Sequence, residues 1–180
     1  EKGASEKYIS GKFSNIQSWN PEWPTLYFLK ITLKKGEKVL HEVTERIGFR
    51  TVELRKHDGF YVNGKKVIFK GVNRHSFWPE TGRCLSEENH LTDIKLMKEM
   101  NMNAVRCSHY VPDKRFLELC DSLGMFVLDE VTGWQDAYDT VVGPRLVKQT
   151  VLKDENHPSV VVWDHGNEGE GGGPDVAVER

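Results

Sequence analysis

The chain lacks most of the features that would place it at once. It contains no run of about 18 or more apolar residues, so no membrane-spanning helix is expected and no membrane partner is implied. It also lacks an excess charge of either sign: 25 Lys and Arg against 27 Asp and Glu leave a formal net charge of −2, with no basic footprint for nucleic acid. Cysteine is scarce. Cys84, Cys107 and Cys120 are an odd set, and two of them fall in apolar segments, so buried free thiols are expected rather than a disulfide framework. No basic, apolar, small-residue leader is visible, which leaves cytoplasmic and periplasmic locations both open.

What is present is an ordinary globular composition, 38% hydrophobic and 29% charged, divided into two unlike halves. From Tyr8 to about Leu54 the pattern is strand and turn: YISGKF, an alternating run from Leu26 to Leu33, a turn at Lys35-Gly36-Glu37, then VLHEVTERIGFRTVEL. That amounts to three or four strands where an immunoglobulin-like sandwich needs about seven. From Phe60 onward strands alternate with helices. Val67 to Val72 reads as a strand, and Ser86 caps a helix with Leu91, Ile94, Met97 and Met100 on its apolar face. Ala104 to Cys107 is the next strand, and Pro112 to Leu123 the next helix, with Gly124 just past its end. Met125 to Leu128, a helix from Arg145 to Glu155, and Ser159 to Trp163 complete four βα units, which imply a parallel sheet with right-handed crossovers.

Polar residues close each of these strands. The first ends in Asn73-Arg74-His75, the second in Arg106, Ser108 and His109, the third in Asp129-Glu130, the fourth in Asp164-His165, Asn167 and Glu168. A doubly wound sheet would instead carry a glycine-rich phosphate loop after its first strand, and none is present. Chemistry spread over every strand end belongs to a barrel, whose active site gathers at the C-terminal rim.

These residues also carry a resemblance. GFR at 48–50, FYVNGKKVIFKGVNRH at 60–75, NAVRCSHY at 103–110, LCDSLGMFVLDE at 119–130 and NHPSVVVWDHGNE at 156–168 closely resemble, in order, the family 2 glycoside hydrolases, which include β-galactosidases, β-glucuronidases and β-mannosidases. The resemblance implies an α/β fold: the first half of a (β/α)8 TIM barrel preceded by part of an immunoglobulin-like β-sandwich. Residues 1–53 would be the sandwich's C-terminal strands, and residues 54–180 strands one to four of the catalytic barrel. It implies a retaining, exo-acting hydrolase of terminal β-linked sugars, with an oligosaccharide or β-glycoside as substrate. Glu168 would be the acid/base carboxylate, Asn167 a ligand of the sugar 2-hydroxyl, and His75 and His109 contacts to sugar hydroxyls, with Asn73 beside them. Arg106 would hold the region of the nucleophile, a second carboxylate that the family carries on strand seven, beyond these residues. An acid working near neutrality must keep its proton there, which calls for partial burial or a neighbouring negative charge.

Two departures and several alternatives stand beside this. Many β-galactosidases of the family carry Glu-x-His after strand three for magnesium; here that stretch is DEVTGWQDAYD, with Trp134 and Asp136 near those places, so no metal cofactor is expected. Trp134 reads either as a sugar-stacking platform or as an ordinary loop-packing tryptophan. Asp164 is a rival acid but better suited to support, as are Asp129 and Glu130. A metal cluster built from His75, His109, His165, Asp129 and Asp164 is a further alternative, although the His-x-His that usually opens such sites is missing. A non-catalytic, carbohydrate-binding piece of a larger enzyme also remains, as do galactose, glucuronate and mannose specificities and homo-oligomerisation of the parent.

Overall fold

The computed structural model describes residues 8–134 and 138–168. The strand-and-turn half is built from two antiparallel units. β1 (Tyr27–Lys35) and β2 (Lys38–Ile47) form a hairpin across the expected turn, where Gly36 takes the left-handed φ of 58° that an L side chain disfavours. β3 (Val52–Arg55), β4 (Gly59–Val62) and β5 (Lys65–Val67) form a three-stranded sheet in that order. Residues 8–13, read from the sequence as a strand, do not form one.

Four parallel strands follow: β6 (Gly71–Arg74), β7 (Ala104–Cys107), β8 (Phe126–Glu130) and β9 (Val160–Asp164), side by side in chain order. The helices α1 (Glu87–Glu99), α2 (Lys114–Leu123) and α3 (Val142–Asp154) lie between them in sequence. Sequential strand order separates this winding from a doubly wound sheet, in which the order reverses. It is the first half of a barrel.

The expected single strand from Val67 to Val72 is instead two, because its ends serve different sheets. Val67 pairs antiparallel with Phe60, whereas Gly71 pairs parallel with Ala104. Helix starts also shift for local reasons. Ser86 caps α1 in reciprocal fashion with Asn89, as its place before Glu87 and Glu88 suggested. α2 begins at Lys114 rather than Pro112, capped by Asp113, which accepts from Arg115 N, and α3 begins before Arg145 because Asp139 Oδ1 accepts from the amides of Val141 and Val142. Met100, expected on the apolar face of α1, is its C-cap residue and is 66% exposed.

The parallel sheet buries apolar residues on both faces. Toward the helices lie Ile94, Met97, Val105, Phe116, Leu117, Met125, Val127 and Val160, with the thiols of Cys107 and Cys120 among them. Burial pushes the Cys107 thiol well above its ordinary range, so it is inert packing. On the opposite face, near the strand starts, Ala104, Phe126 and Val161 surround Trp19, a fully buried residue contributed from outside the barrel strands. Trp19 meets Phe126 edge-on at 5.9 Å and donates its indole N–H to the Asp121 carbonyl at 2.8 Å.

This end of the sheet is locked by Asp121. Its buried carboxylate accepts from Ser159 Oγ (2.6 Å) and Ser159 N (3.1 Å) and lies 2.6 Å from His157 Nδ1, tying α2 to the start of β9. Arg46 of β2 reaches the same region, donating to the Glu118 carbonyl at 2.6 Å and to Ser122 Oγ at 3.0 Å.

Gly124 ends α2 with a φ of 73°, and a Cβ built there would lie 2.0 Å from the Pro21 carbonyl oxygen. Gly36 has a φ of 58° but nothing within 4 Å. In the full-length protein Gly36→Ala should therefore cost about 1 kcal/mol, for backbone strain alone, and Gly124→Ala well over 2 kcal/mol. Urea unfolding that gave the two variants equal losses would contradict this packing.

Candidate active site at the strand ends

At the C-terminal ends of the parallel strands the lining changes from apolar to charged. Register puts Asn73 beside Arg106, and Glu130 beside Asp164. Two neighbouring carboxylates would repel each other at that spacing, and Arg106 answers both. Its Nη2 lies 2.7 Å from Glu130 Oε2, an ion pair whose angle falls outside hydrogen-bond geometry, and its Nε donates to Asp164 Oδ2 at 2.9 Å. A longer contact of 3.4 Å reaches Asn167 Oδ1. Glu130 is fully buried, and these partners offset the cost of burying a carboxylate.

The other Glu130 oxygen holds His109, whose Nδ1 lies 2.9 Å from Oε1. A carboxylate at that nitrogen favours the Nδ1–H form and leaves Nε2 of the neutral ring as an acceptor. The His109 ring is flanked by Trp134 at 4.8 Å and by His75 at 5.2 Å, both near edge-on, and the peptide before it, Ser108–His109, is cis. Trp134 is 56% exposed and is joined to β9's outgoing chain, because Asn167 N donates to the Gly133 carbonyl at 3.1 Å. Glu168 comes next, exposed, with a left-handed φ of 53° unusual for a residue with a side chain.

Of the residues picked from the sequence, Arg106, His109, His75, Trp134 and Asn167 thus form one connected group. Asn73 is exposed on the adjoining strand, and Glu168 follows Asn167 directly. Glu130 is the residue whose weight the sequence understated: its acidic type was visible, but not that both oxygens would be spent on Arg106 and His109. Asp136 and the glycines after Glu168 lie outside the described residues.

Metal readings find little here. Asp129 turns away from the group toward Asp154, Asp164 is engaged by Arg106, and an indole at Trp134 offers no ligand oxygen. Among the described residues, no three His, Cys, Asp or Glu side chains are arranged to hold a metal ion.

Arg74 points to the helix side of β6, where it pairs with Asp93 at 2.7 Å, contacts His90 Nδ1 at 3.1 Å and covers the Phe116 ring at 4.1 Å. Burial and the Arg74 charge lower the His90 pKa, so this ring is a neutral strut.

With this geometry in place, comparison with known proteins gives the class. Residues 52–178 match the model described as "Glycosyl hydrolases family 2, TIM barrel domain", and residues 1–50 match "Glycosyl hydrolases family 2". The chain belongs to the family 2 glycosyl hydrolases. It is 41% identical over 167 residues to a β-galactosidase of Lactococcus lactis, covering 86% of this chain and 16% of that protein. It is also 34% identical over 163 residues to a putative β-glucuronidase of Formosa agariphila, covering 87% of this chain and 20% of that protein. A solved β-glycosidase from Bacteroides vulgatus superposes with a TM-score of 0.78 at 31% identity, over 88% of this chain and 22% of that one. The chain therefore spans about a fifth or less of the length of these two curated relatives.

Behind the site, Asp129 and Asp154 form a fully buried carboxyl pair, with Lys153 Nζ 2.8 Å from both Asp154 oxygens. Burial first, then the Asp154 charge and the carboxyl–carboxyl hydrogen bond, raise the Asp129 pKa well above the usual carboxylate range. Neither Asp129 oxygen accepts a hydrogen bond from an N–H or hydroxyl donor, which leaves a buried negative charge there without support and fits a carboxyl that keeps its proton. The folded chain then holds a proton that the unfolded chain releases near pH 4, so this group's contribution to stability falls as pH rises from there through the raised pKa. Asp129→Asn keeps a donor and removes that titration. The variant should match or exceed the parent in stability at pH 8 and flatten its stability–pH curve; a uniform loss at every pH would contradict the assignment.

Proposed function

We propose that this chain carries the acid/base half of the active site of a retaining, exo-acting glycoside hydrolase that removes terminal β-linked sugars, galactose foremost. The observation that carries the proposal is the joined set Arg106–Glu130–His109 and Asn167 at the rim of parallel strands, with Glu168 as the next residue. Specificity for galactose draws support from the β-galactosidase relatives at 37–41% identity. A glucuronidase reading has its own support in the Formosa relative and in a Parabacteroides merdae β-glucuronidase of TM-score 0.76 at 28% identity.

In this reading the sugar lies over the rim, its hydroxyls meeting His109 Nε2, His75, Asn73 and the Asn167 side-chain amide. Arg106 orients the Asn167 carbonyl oxygen, which turns that amide's N–H groups toward the ligand. Trp134, half open to solvent, offers a face to the apolar side of the ring. Glu168 protonates the departing oxygen while a carboxylate from another part of the full-length protein, about 5 to 5.5 Å from it, attacks the anomeric carbon. In the second step Glu168 takes a proton from water, which displaces that carboxylate and returns the sugar with retained configuration. The left-handed backbone at Glu168 fits a carboxylate held out at the rim rather than packed against the strand.

Glu168→Ala in the full-length protein should slow glycosides with poor leaving groups far more than activated phenyl glycosides, which depart unprotonated. Azide should accelerate turnover of the activated substrate by attacking the glycosyl-enzyme and yield the β-glycosyl azide. An α-azide would make Glu168 the nucleophile, and equal losses for all leaving groups without an azide effect would make it structural.

Activity of the full-length protein should also be indifferent to chelator and to added magnesium, because Trp134 stands where an oxygen or nitrogen ligand is needed and hard cations take several oxygen ligands. A large loss of rate in chelator, restored by magnesium, would show that the metal has other ligands.

A further inference from the structure

Beside the rim, sharing His75 with it, is a hollow of about 290 Å³ lined by His75, Ser76, Phe77, Arg83 and Tyr110. It is open to solvent and large enough to take a substituent of a sugar ring. Its walls are braced. Tyr110 Oη accepts from Ser76 N at 2.9 Å, and the Trp78–Gly82 turn is closed by amide-to-carbonyl bonds of 2.7 and 2.8 Å, which fixes where Arg83 leaves the backbone. Arg83 lies with its guanidinium carbon 3.8 Å from the Tyr110 ring centroid.

The charge in this hollow is unanswered. Arg55, Arg74, Arg106 and Arg115 each pair with a carboxylate, whereas among the described residues none lies within ion-pair distance of Arg83. Two of the other polar groups are engaged, the Tyr110 hydroxyl by Ser76 N and Ser76 Oγ by Arg74 Nη1 at 3.2 Å, whereas Arg83 and the His75 ring are exposed and open to a ligand. The Tyr110 face is covered by the guanidinium itself, and Phe77, 60% exposed, supplies an apolar edge. A neutral polyol would find few free acceptors here. An anion would find a stacked, preoriented cation beside an imidazole.

We propose that this hollow is an anion-binding subsite that takes a carboxylate or sulfate substituent of the saccharide, so that the protein prefers charged over neutral glycans. The proposal rests on the glycosidase reading, because His75 is the wall shared between the hollow and the rim.

The test uses the full-length protein and calorimetric binding of methyl β-galactoside, its 6-sulfate, methyl β-glucuronide and inorganic sulfate alone. The anionic glycosides should bind about tenfold tighter than the neutral one or better; Arg83→Gln should abolish that difference, and Arg83→Lys should keep part of it. Neutral-glycoside affinity should stay within about twofold in both variants, which also reports that they are folded. Equal affinity for charged and neutral sugars, or a preference that survives Arg83→Gln, overturns the proposal. Inorganic sulfate binding as tightly as the sulfated sugar overturns its assignment to substrate. Hydrolysis of neutral β-glycosides by the same preparations is scored separately, so its absence would sink the glycosidase reading without deciding this one.

Discussion

The site depends on one buried carboxylate. Glu130 has no exposure to water, yet its two oxygens face a guanidinium and an imidazole that belong to the preceding strand and its outgoing loop. A charge in that position is tolerable only because both partners are held against it, and the partners in turn lose their freedom. Arg106 is thereby fixed between Glu130 and Asp164 and reaches Asn167, while His109 is held between His75 and Trp134. Every group of the proposed sugar-binding rim except Asn73 and Glu168 is connected to Glu130 by one or two contacts. Glu168 follows Asn167 in the chain, so the backbone extends the constraint to it.

The two ends of the parallel sheet divide the work. At the strand starts the interactions are those of a packed base: Trp19 fills the space between Phe126 and Val161, and Asp121 fastens α2 to His157 and Ser159. At the strand ends the buried Glu130 carboxylate faces Arg106 and His109, and these carry polar groups out to the rim. This is the general division in barrels, where the C-terminal rim holds chemistry and the opposite face holds stability. Asp129, one residue from Glu130 but on the other face of β8, belongs with the helices, as period-two alternation requires.

Much of this was legible from residue pattern. The four parallel strands and three helices follow from periodicity, and the polar strand ends identify the rim, because an apolar strand that stops in Asp-Glu or in Arg-Cys-Ser-His has no packing reason to do so. What could not be read was non-local. Nothing in SWNPEWP indicates that Trp19 would be wholly buried beneath β8, since its partners Phe126 and Asp121 lie about a hundred residues away. Val67–Val72 looked like one strand because its apolar content is continuous; only pairing with β4 on one side and β7 on the other divides it. Residues 8–13 have strand composition but no partner strand among the described residues. The sequence also offered Asp129 and Glu130 as a pair, and only the pleat assigns one to each face.

The most direct test of this account is Glu130→Gln in the full-length protein, with unfolding monitored to verify the fold. Because Glu130 orients groups and transfers no proton, KM should rise, and kcat/KM should fall by about a hundredfold, to the same extent for poor and activated leaving groups. Azide should give no rescue. Wild-type kinetics in a folded Glu130→Gln protein would contradict the account, as would a loss confined to poor leaving groups, which would make Glu130 the acid.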